Sequence, residues 1–145
     1  ANLPALNELY WAEKEKGSYL NETKISVSRV KKLENAVINS DYSSKSKYRK
    51  KQHSLIEKIL PFVEYVKIYG SFPYTSCNVA RGRSDGHFEL YVPPLHRVAS
   101  MVILTEAGGK ITNLNGENAT ILDDDIVLTN GLLHNEVIRI LNKKI

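Results

Sequence analysis

The sequence has a single cysteine, Cys77, so it cannot form a disulfide within the chain. It also lacks a charged leader followed by an apolar stretch, which argues against export. Its longest apolar runs, such as residues 101–104 with their neighbours, are far shorter than the ~20 residues needed to cross a bilayer. We therefore expect no membrane span and a location in the reducing cytoplasm.

A strong excess of one charge is absent as well. The 20 Lys and Arg residues outnumber the 16 Asp and Glu residues, which leaves a formal net charge of only +4. Such a mild balance does not by itself indicate a nucleic-acid partner. The sequence does contain 42% hydrophobic residues among its 145, enough for one ordinary globular domain with a sizeable core.

Hydrophobic patterning predicts two kinds of structure along the chain. Residues 1–35 contain two or three strand-like segments separated by turns, typical of antiparallel strands left from a larger sheet. From Ala36 to the last residue, strands alternate with helices, which predicts an α/β domain with a layered sheet and helices on both faces. We expect strands near residues 36–38, 65–69, 87–91 and 126–129, and helices near residues 47–60, 72–81, 93–107 and 133–141. The helix over 93–107 is expected to be apolar nearly all round.

Three segments of the chain carry a family resemblance. They are LYWAEK with GSYLN at residues 9–21, GSFPYTSCNVARGRSDGHFE at 70–89, and TEAGGKITNLNG at 105–116. In order and spacing they resemble the C-terminal half of the inositol monophosphatase family. The resemblance implies half of an αβαβα layered fold and kinship with Mg²⁺-dependent phosphomonoesterases, a group that includes the fructose bisphosphatases.

The resemblance also indicates which catalytic parts are missing. The family's metal-binding carboxylates lie mostly in its N-terminal half, in a Glu-Glu pair and an Asp-Pro-hydrophobic-Asp-Gly-Thr motif, and neither occurs in these residues. The remaining family ligand is the Asp of a Trp-Asp pair, seven residues after a substrate-contacting Glu. Counting from Glu89, that position is His96, preceded by Leu95. A neutral imidazole is a poor substitute for a carboxylate on Mg²⁺.

We therefore expect no catalytic residue, no metal ligand and no cofactor for this chain alone, although the family uses Mg²⁺. His96 as a ligand for a softer metal is the alternative to an ordinary surface histidine at a helix start. Cys77 is expected to be a buried small side chain without a nucleophilic role.

The turn at Gly70 and Ser71 lies between a predicted strand and a predicted helix, where open α/β sheets present free N–H groups to an anion. The resemblance implies that Gly70 and Ser71 hold substrate and that Glu89 contacts a substrate hydroxyl. Phe72 and Pro73 add bulk at this turn, however, and Pro73 has no N–H. We predict a narrowed or filled pocket. The alternatives are that Ser71 simply caps the helix and that Glu89 pairs with a nearby base.

The positive charge is concentrated in one run at the start of a predicted helix. Five of the seven residues from 45 to 51 are basic: Lys45, Lys47, Arg49, Lys50 and Lys51. A solvated loop and helix face is the ordinary interpretation of such a run. Binding of RNA or another polyanion through phosphate contacts is the alternative.

Three functional hypotheses remain open. The chain is an inositol monophosphatase-like protein that lacks the metal-binding half and is inactive alone. Alternatively, it is a subunit or fragment of an active Mg²⁺-dependent inositol or sugar phosphate phosphatase. The last hypothesis is an RNA- or polyanion-binding module that uses the basic run. Whether the chain is an enzyme is therefore left open by the sequence.

Self-association follows from the first hypothesis. Without the N-terminal half, the strands within residues 6–28 would expose an edge beside Leu9, Trp11 and Tyr19, and such an edge pairs with another strand. Pairing of two copies about a two-fold axis satisfies both edges, so we predict a homodimer. The alternative is that residues 2–13 fold back over their own sheet and leave a monomer.

Overall fold

A computed structural model describes residues 1–43 and 45–143 of the chain. Its first sheet is antiparallel, with four strands in chain order. These are β1 (Asn2–Leu3), β2 (Glu8–Glu13), β3 (Gly17–Leu20) and β4 (Thr23–Ile25). β1 was not expected from the sequence because a strand of two residues shows no hydrophobic period.

The hairpin between β2 and β3 shows why these residues form strands. Trp11 lies directly opposite Tyr19, and their rings stack with centroids 4.4 Å apart. Tyr10, one position earlier, points to the other face and is fully buried. This alternation of an inward and an outward aromatic residue is the two-residue period of a half-buried strand.

The second sheet is mixed and has five strands in the order β6-β5-β7-β9-β8. They are β5 (Val37–Ser40), β6 (Tyr65–Lys67), β7 (Gly86–Leu90), β8 (Lys110–Thr112) and β9 (Asp125–Thr129). β5 runs parallel to β6 and β7, whereas β9 runs antiparallel to β7 and β8. β8 was also missed in the sequence, since its three residues are too short to show alternation.

Four helices complete the layers. They are α1 (Ser46–Ile59), α2 (Phe72–Ala80), α3 (Pro94–Glu106) and α4 (His134–Asn142). α1 and α4 pack on one face of the second sheet, through a core that includes Ile59 and Val137. α2 and α3 fill the space between the two sheets, where Cys77 and Leu104 are fully buried. The predicted layered sheet with helices on both faces, preceded by antiparallel strands, is confirmed.

α3 exposes part of its apolar surface. The helix is not surrounded by protein: Leu95, Val98 and Val102 are exposed, and Leu95 retains 86% of its accessible surface. Arg97 and Ser100 are buried instead. The Arg97 guanidinium is held inside by the backbone oxygens of Val92 and Thr120. Part of the apolar surface of α3 therefore faces outward, while Arg97 and Ser100 lie on its buried side together with Ile103 and Leu104.

The N-terminal segment folds back on the first sheet. Asn2 and Leu3 pair with Leu9 and Glu8, and the Ala1 amino group donates to the Tyr10 carbonyl oxygen at 2.8 Å. β1 therefore covers the first part of the β2 edge, as in the monomer alternative. The division of the chain into domains at residue 35 stays a prediction. Within the described ranges, no helix is long and apolar enough to span a bilayer.

Candidate functional site

The carboxyl ends of two parallel strands place two acids side by side. β5 and β7 are neighbours, and Ser40 is paired with Phe88. Asp41 and Glu89, the residues that follow this pair, therefore meet at the edge of the sheet where α/β folds place their ligand sites. Both line a cavity of about 310 Å³. The rest of its wall comes from Tyr42, Gly70, Ser71, Phe72, Pro73, Tyr91, Val92, Pro93 and His96.

Asp41 occupies the anion-binding turn before α2. Its carboxylate accepts the backbone N–H groups of Tyr69, Gly70 and Ser71 at 2.9, 2.6 and 3.1 Å. Gly70 has a φ of +74°, a left-handed conformation that glycine adopts without strain and that turns these N–H groups toward one point. The donors that the family resemblance assigns to substrate are thus engaged by an acid of the chain itself. Phe72 and Pro73 were expected to narrow or fill this pocket, and Asp41 was not predicted to lie in it.

Ser71 takes the N-cap position of α2 without using its side chain. The residue is extended, and its hydroxyl makes no capping hydrogen bond. Instead its carbonyl oxygen accepts the N–H and the hydroxyl of Thr75. Ser71 is thus the N-cap residue of α2, but its side chain does not cap the helix, and Pro73 in the first turn has no N–H for a cap to satisfy.

His87 and Glu89 form a buried pair beside Asp41. They are two residues apart on β7, so their side chains leave the same face of the strand. His87 Nε2 lies 3.4 Å from Glu89 Oε2, with side-chain exposures of 0% and 11%. Both ring nitrogens of His87 and Oε2 of Glu89 lack a hydrogen-bond partner among the described residues. The base beside Glu89 is therefore His87, but the contact between them does not meet the geometry of a hydrogen bond.

Asp41, His87 and Glu89 together can offer one ligand atom each within 4.8 Å of one another. We refer to them as the Asp-His-Glu cluster. The sequence arguments missed His87, although its spacing of two from Glu89 in a predicted strand was a usable signal. Asp41 could not be found that way, because its place depends on the register of β5 against β7.

His96 lies on the wall of the same cavity, at the start of α3. It stands where the family resemblance expects a metal-binding Asp. The side chain is exposed, and the His96 N–H donates to the Pro93 carbonyl oxygen at 2.9 Å in the first helical turn. An imidazole therefore stands at the position to which the resemblance assigns a carboxylate.

The basic run begins at the mouth of this cavity. Lys45 Nζ lies 5.4 Å from the centroid of the Tyr91 ring, and Tyr91 lines the cavity. Tyr48 stacks on Tyr91 at 5.5 Å, and Lys47 Nζ lies over the Tyr48 ring at 4.7 Å. All five basic residues of the run are exposed. Two of the cations thus have aromatic partners from the chain itself.

Cys77 is not part of the site. It is fully buried in α2, as expected, and burial raises the pKa of its thiol to about 11. A thiol with so high a pKa carries almost no thiolate at neutral pH.

The geometry so far defines a class: a layered α/β protein with an acidic pocket at the carboxyl ends of its parallel strands. Comparison with known proteins identifies the family. The sequence model described as "Inositol monophosphatase family" matches residues 1–145, so the chain belongs to that family.

The relatives are about twice as long as this chain. It is 31% identical over 140 residues to the fructose-1,6-bisphosphatase/inositol-1-monophosphatase of Thermotoga maritima, a match that covers 97% of this chain and 53% of the relative. It is 36% identical over 118 residues to the Nus factor SuhB of Vibrio cholerae, covering 78% of this chain and 43% of that protein. The solved structure of suhB from Bartonella henselae matches with a TM-score of 0.92 at 25% identity, over 98% of this chain and 55% of that one.

Proposed function

We propose that this chain, as a polypeptide of 145 residues, is an inositol monophosphatase-like domain with no phosphatase activity of its own. The observation that carries the proposal is His96 on the wall of the acidic cavity, seven residues after Glu89. Hydrolysis of a phosphomonoester in this family depends on Mg²⁺, which stabilises charge on the phosphoryl oxygens and supplies a nucleophilic water.

The residues present do not fit that ion. Mg²⁺ takes oxygen ligands in octahedral geometry and keeps several of its waters. In the described part of the chain, the acids of the cavity are Asp41 and Glu89. Glu89 has the buried imidazole of His87 3.4 Å away, so a nitrogen donor stands beside these carboxylates. A site with a nitrogen donor and only two carboxylates does not suit the oxygen-ligand preference of Mg²⁺.

A second candidate is an active phosphatase completed by the other half of the fold. The observation in its favour is that the chain spans about half the length of its relatives. Exposed Leu95, Val98 and Val102 on α3 would suit packing against such a half. In that arrangement the missing segment would supply the carboxylates and this chain would supply the cavity.

One assay separates these two candidates. Release of inorganic phosphate from inositol 1-phosphate should be undetectable for the chain with excess Mg²⁺, against ordinary turnover on the order of 1–10³ s⁻¹. The His96→Asp variant should stay inactive, because one carboxylate does not build a site that several share. The Thermotoga maritima relative serves as the positive control. Turnover by the chain alone would refute the proposal, and turnover only after adding that relative's N-terminal half would support the second candidate.

Self-association through the first sheet is also part of the proposal. Among the described residues, β1 pairs with β2 as far as Tyr10, and no strand lies beside Trp11 to Glu13 on that edge, which supports pairing with a second copy. Leu9 and Trp11 are 47% and 42% exposed beside it. We expect sedimentation equilibrium at micromolar concentration to give twice the monomer mass of 16.4 kDa.

The matched variants for this test are two leucine-to-lysine changes. Leu9→Lys should shift the equilibrium toward monomer, because it adds charge to the exposed apolar surface beside the open edge. Leu60→Lys, at an exposed leucine after α1, should leave the mass unchanged. A single species at 16.4 kDa for the unmodified chain would exclude the dimer.

RNA binding through Lys45, Lys47, Arg49, Lys50 and Lys51 stays a hypothesis, as does a cytoplasmic location. The stacked Tyr48 and Tyr91 rings beside the run offer a surface for a base, whereas the cations over those rings are already engaged. Because only phosphate contacts would be available from the lysines, any such binding would be insensitive to sequence and lost steeply with salt.

A further inference from the structure

We propose that the Asp-His-Glu cluster binds one divalent transition-metal cation of the Zn²⁺ type. The three side chains come from two adjacent strands of the second sheet, so the framework that holds them is rigid. This inference does not depend on the proposed lack of phosphatase activity, since a bound cation of this kind need not catalyse hydrolysis.

The spacing of the donors fits such a cation. His87 Nε2 and Glu89 Oε2 are 3.4 Å apart, which is the edge of a tetrahedron with metal–ligand bonds of about 2.1 Å. Zn–N and Zn–O bonds in proteins are of about this length. A cation between these two atoms would therefore need little movement of either side chain.

The strongest sign is the unpaired polar atoms. His87 is 1% exposed, yet neither of its ring nitrogens has a hydrogen-bond partner in the described chain, and Oε2 of Glu89 is equally unpaired. Buried polar atoms are almost always satisfied, so an unsatisfied pair facing each other requires an explanation. One cation would provide both atoms with a partner.

Asp41 is prepared as the third ligand. A carboxylate offers about four lone-pair sites, and three of them accept the N–H groups of Tyr69, Gly70 and Ser71. At least one lone pair is left for a metal. The three N–H donors fix the orientation of the carboxylate, which is the role that outer-shell hydrogen bonds play around protein metal ions.

The donor set selects the type of cation. One imidazole nitrogen and two carboxylates suit Zn²⁺ and its transition-metal neighbours, and they carry the charge that a divalent ion neutralises. Asp41 and Glu89 also line the cavity of about 310 Å³, which gives the ion a route in and leaves a position open to solvent. The cluster thus has three protein ligands and an entry path.

A competition titration with a chromophoric zinc chelator on the metal-free chain tests the site. We expect one Zn²⁺ per chain, and Co²⁺ in its place should give the visible absorption of a low-symmetry site. Glu89→Gln and His87→Gln should each weaken binding on the order of 100-fold, since even the loss of an outer-shell partner costs 10–100-fold. His53→Gln removes a histidine exposed beside Glu57 and should change nothing.

Two results would overturn the proposal. One is Zn²⁺ affinity that survives both Glu89→Gln and His87→Gln, and the other is loss of the bound ion in His53→Gln, which would place it on the surface of α1. Unfolding midpoints measured without metal show whether each variant folds. If His87→Gln does not fold, the Glu89→Gln variant decides, because the amide keeps the volume of the carboxylate.

Discussion

Replacing Asp85 by alanine is expected to lower the free energy of unfolding by about 3 kcal/mol, because buried donors lose their acceptor. Asp85 is 4% exposed, and its carboxylate accepts the Ser28 hydroxyl and the Val37 N–H, the latter at 2.7 Å. Its carbonyl oxygen also accepts the Asn130 N–H at 2.9 Å. One acid therefore ties the segment after the first sheet to the start of β5 and to the loop after β9.

The free energy of unfolding lost in Asp85→Ala should exceed the contribution of a single hydrogen bond. Asn130 Nδ2 donates to Ser28 Oγ and to the Val30 carbonyl oxygen, so the Ser28 hydroxyl links Asp85 to a second buried group. Removing the carboxylate leaves the Val37 N–H without a partner and loosens the hydroxyl that Asn130 needs. Hydrogen bonds in such a network are coupled, so removing one group costs more free energy of unfolding than the loss of an isolated hydrogen bond.

Urea unfolding followed by circular dichroism measures the effect. The matched control is Glu64→Ala, an exposed acid, which should change stability by less than about 0.5 kcal/mol. The stability of Asp85→Asn should lie between those of Asp85→Ala and Glu64→Ala, since the amide oxygen can still accept one of the two hydrogen bonds. Equal stability of Asp85→Ala and Glu64→Ala would show that the carboxylate does not hold these segments together.

The long, periodic elements of the fold were predictable from the sequence. Apolar residues such as Leu55, Ile59 and Val137 recur at helical spacing, and the observed bounds of α1 and α2 differ from the expected ones by a residue or so. Pro61 and Gly82 lie just after these two helices, and both residue types disfavour continuation of a helix. Hydrophobic periodicity is a local property, so a short stretch of sequence is enough to predict such a helix.

The candidate site was less accessible to sequence reasoning. Glu89 and His96 follow from the family resemblance, whereas no motif of the sequence points to Asp41. Its position beside Glu89 follows from the parallel register of β5 and β7, two strands separated by more than forty residues. No local pattern specifies that register, since it depends on how the whole sheet packs.

The buried Arg97 shows the same limit in the core. A charged residue in an apolar helix is expected on the solvated side. Burial lowers the pKa of Arg97 despite the neighbouring acid Asp123, and the guanidinium is retained by carbonyl oxygens of two loops. Those loops are adjacent to α3 only in the folded chain, so no local pattern of the sequence indicates that Arg97 is buried.

His134 is expected to make the protein less stable as the pH falls from about 6.5 to about 4. Burial lowers the pKa of this imidazole to about 4 from its ordinary value of 6.5. Between these two pH values His134 is protonated in the unfolded chain and neutral in the folded chain. Acidification therefore favours unfolding. The difference of 6.5 − 4 corresponds to a loss of about 3 kcal/mol, complete below the folded pKa.

The hydrogen bonds around His134 explain why the ring stays neutral. The Thr112 hydroxyl donates to the Asn113 carbonyl oxygen, so it accepts from His134 Nε2 at 2.9 Å. On the other side, Thr129 Oγ1 accepts the Gly131 N–H and donates to His134 Nδ1 at 3.0 Å. Each ring nitrogen therefore has one defined role, and a second ring proton would face the hydroxyl hydrogen of Thr129.

Unfolding in urea at several pH values between 4 and 7 tests this account, with His134→Gln compared to the unmodified chain. The variant should be less stable near pH 7, and its stability should fall less steeply on acidification, because glutamine does not titrate. His53→Gln, at an exposed histidine, should keep the steep fall. Should the glutamine variant fail to fold, the NMR titration of the His134 ring in the unmodified chain decides. Protonation of that ring near pH 6.5 in the folded protein would contradict the buried neutral imidazole, whereas a ring that stays neutral down to about pH 5 would establish it.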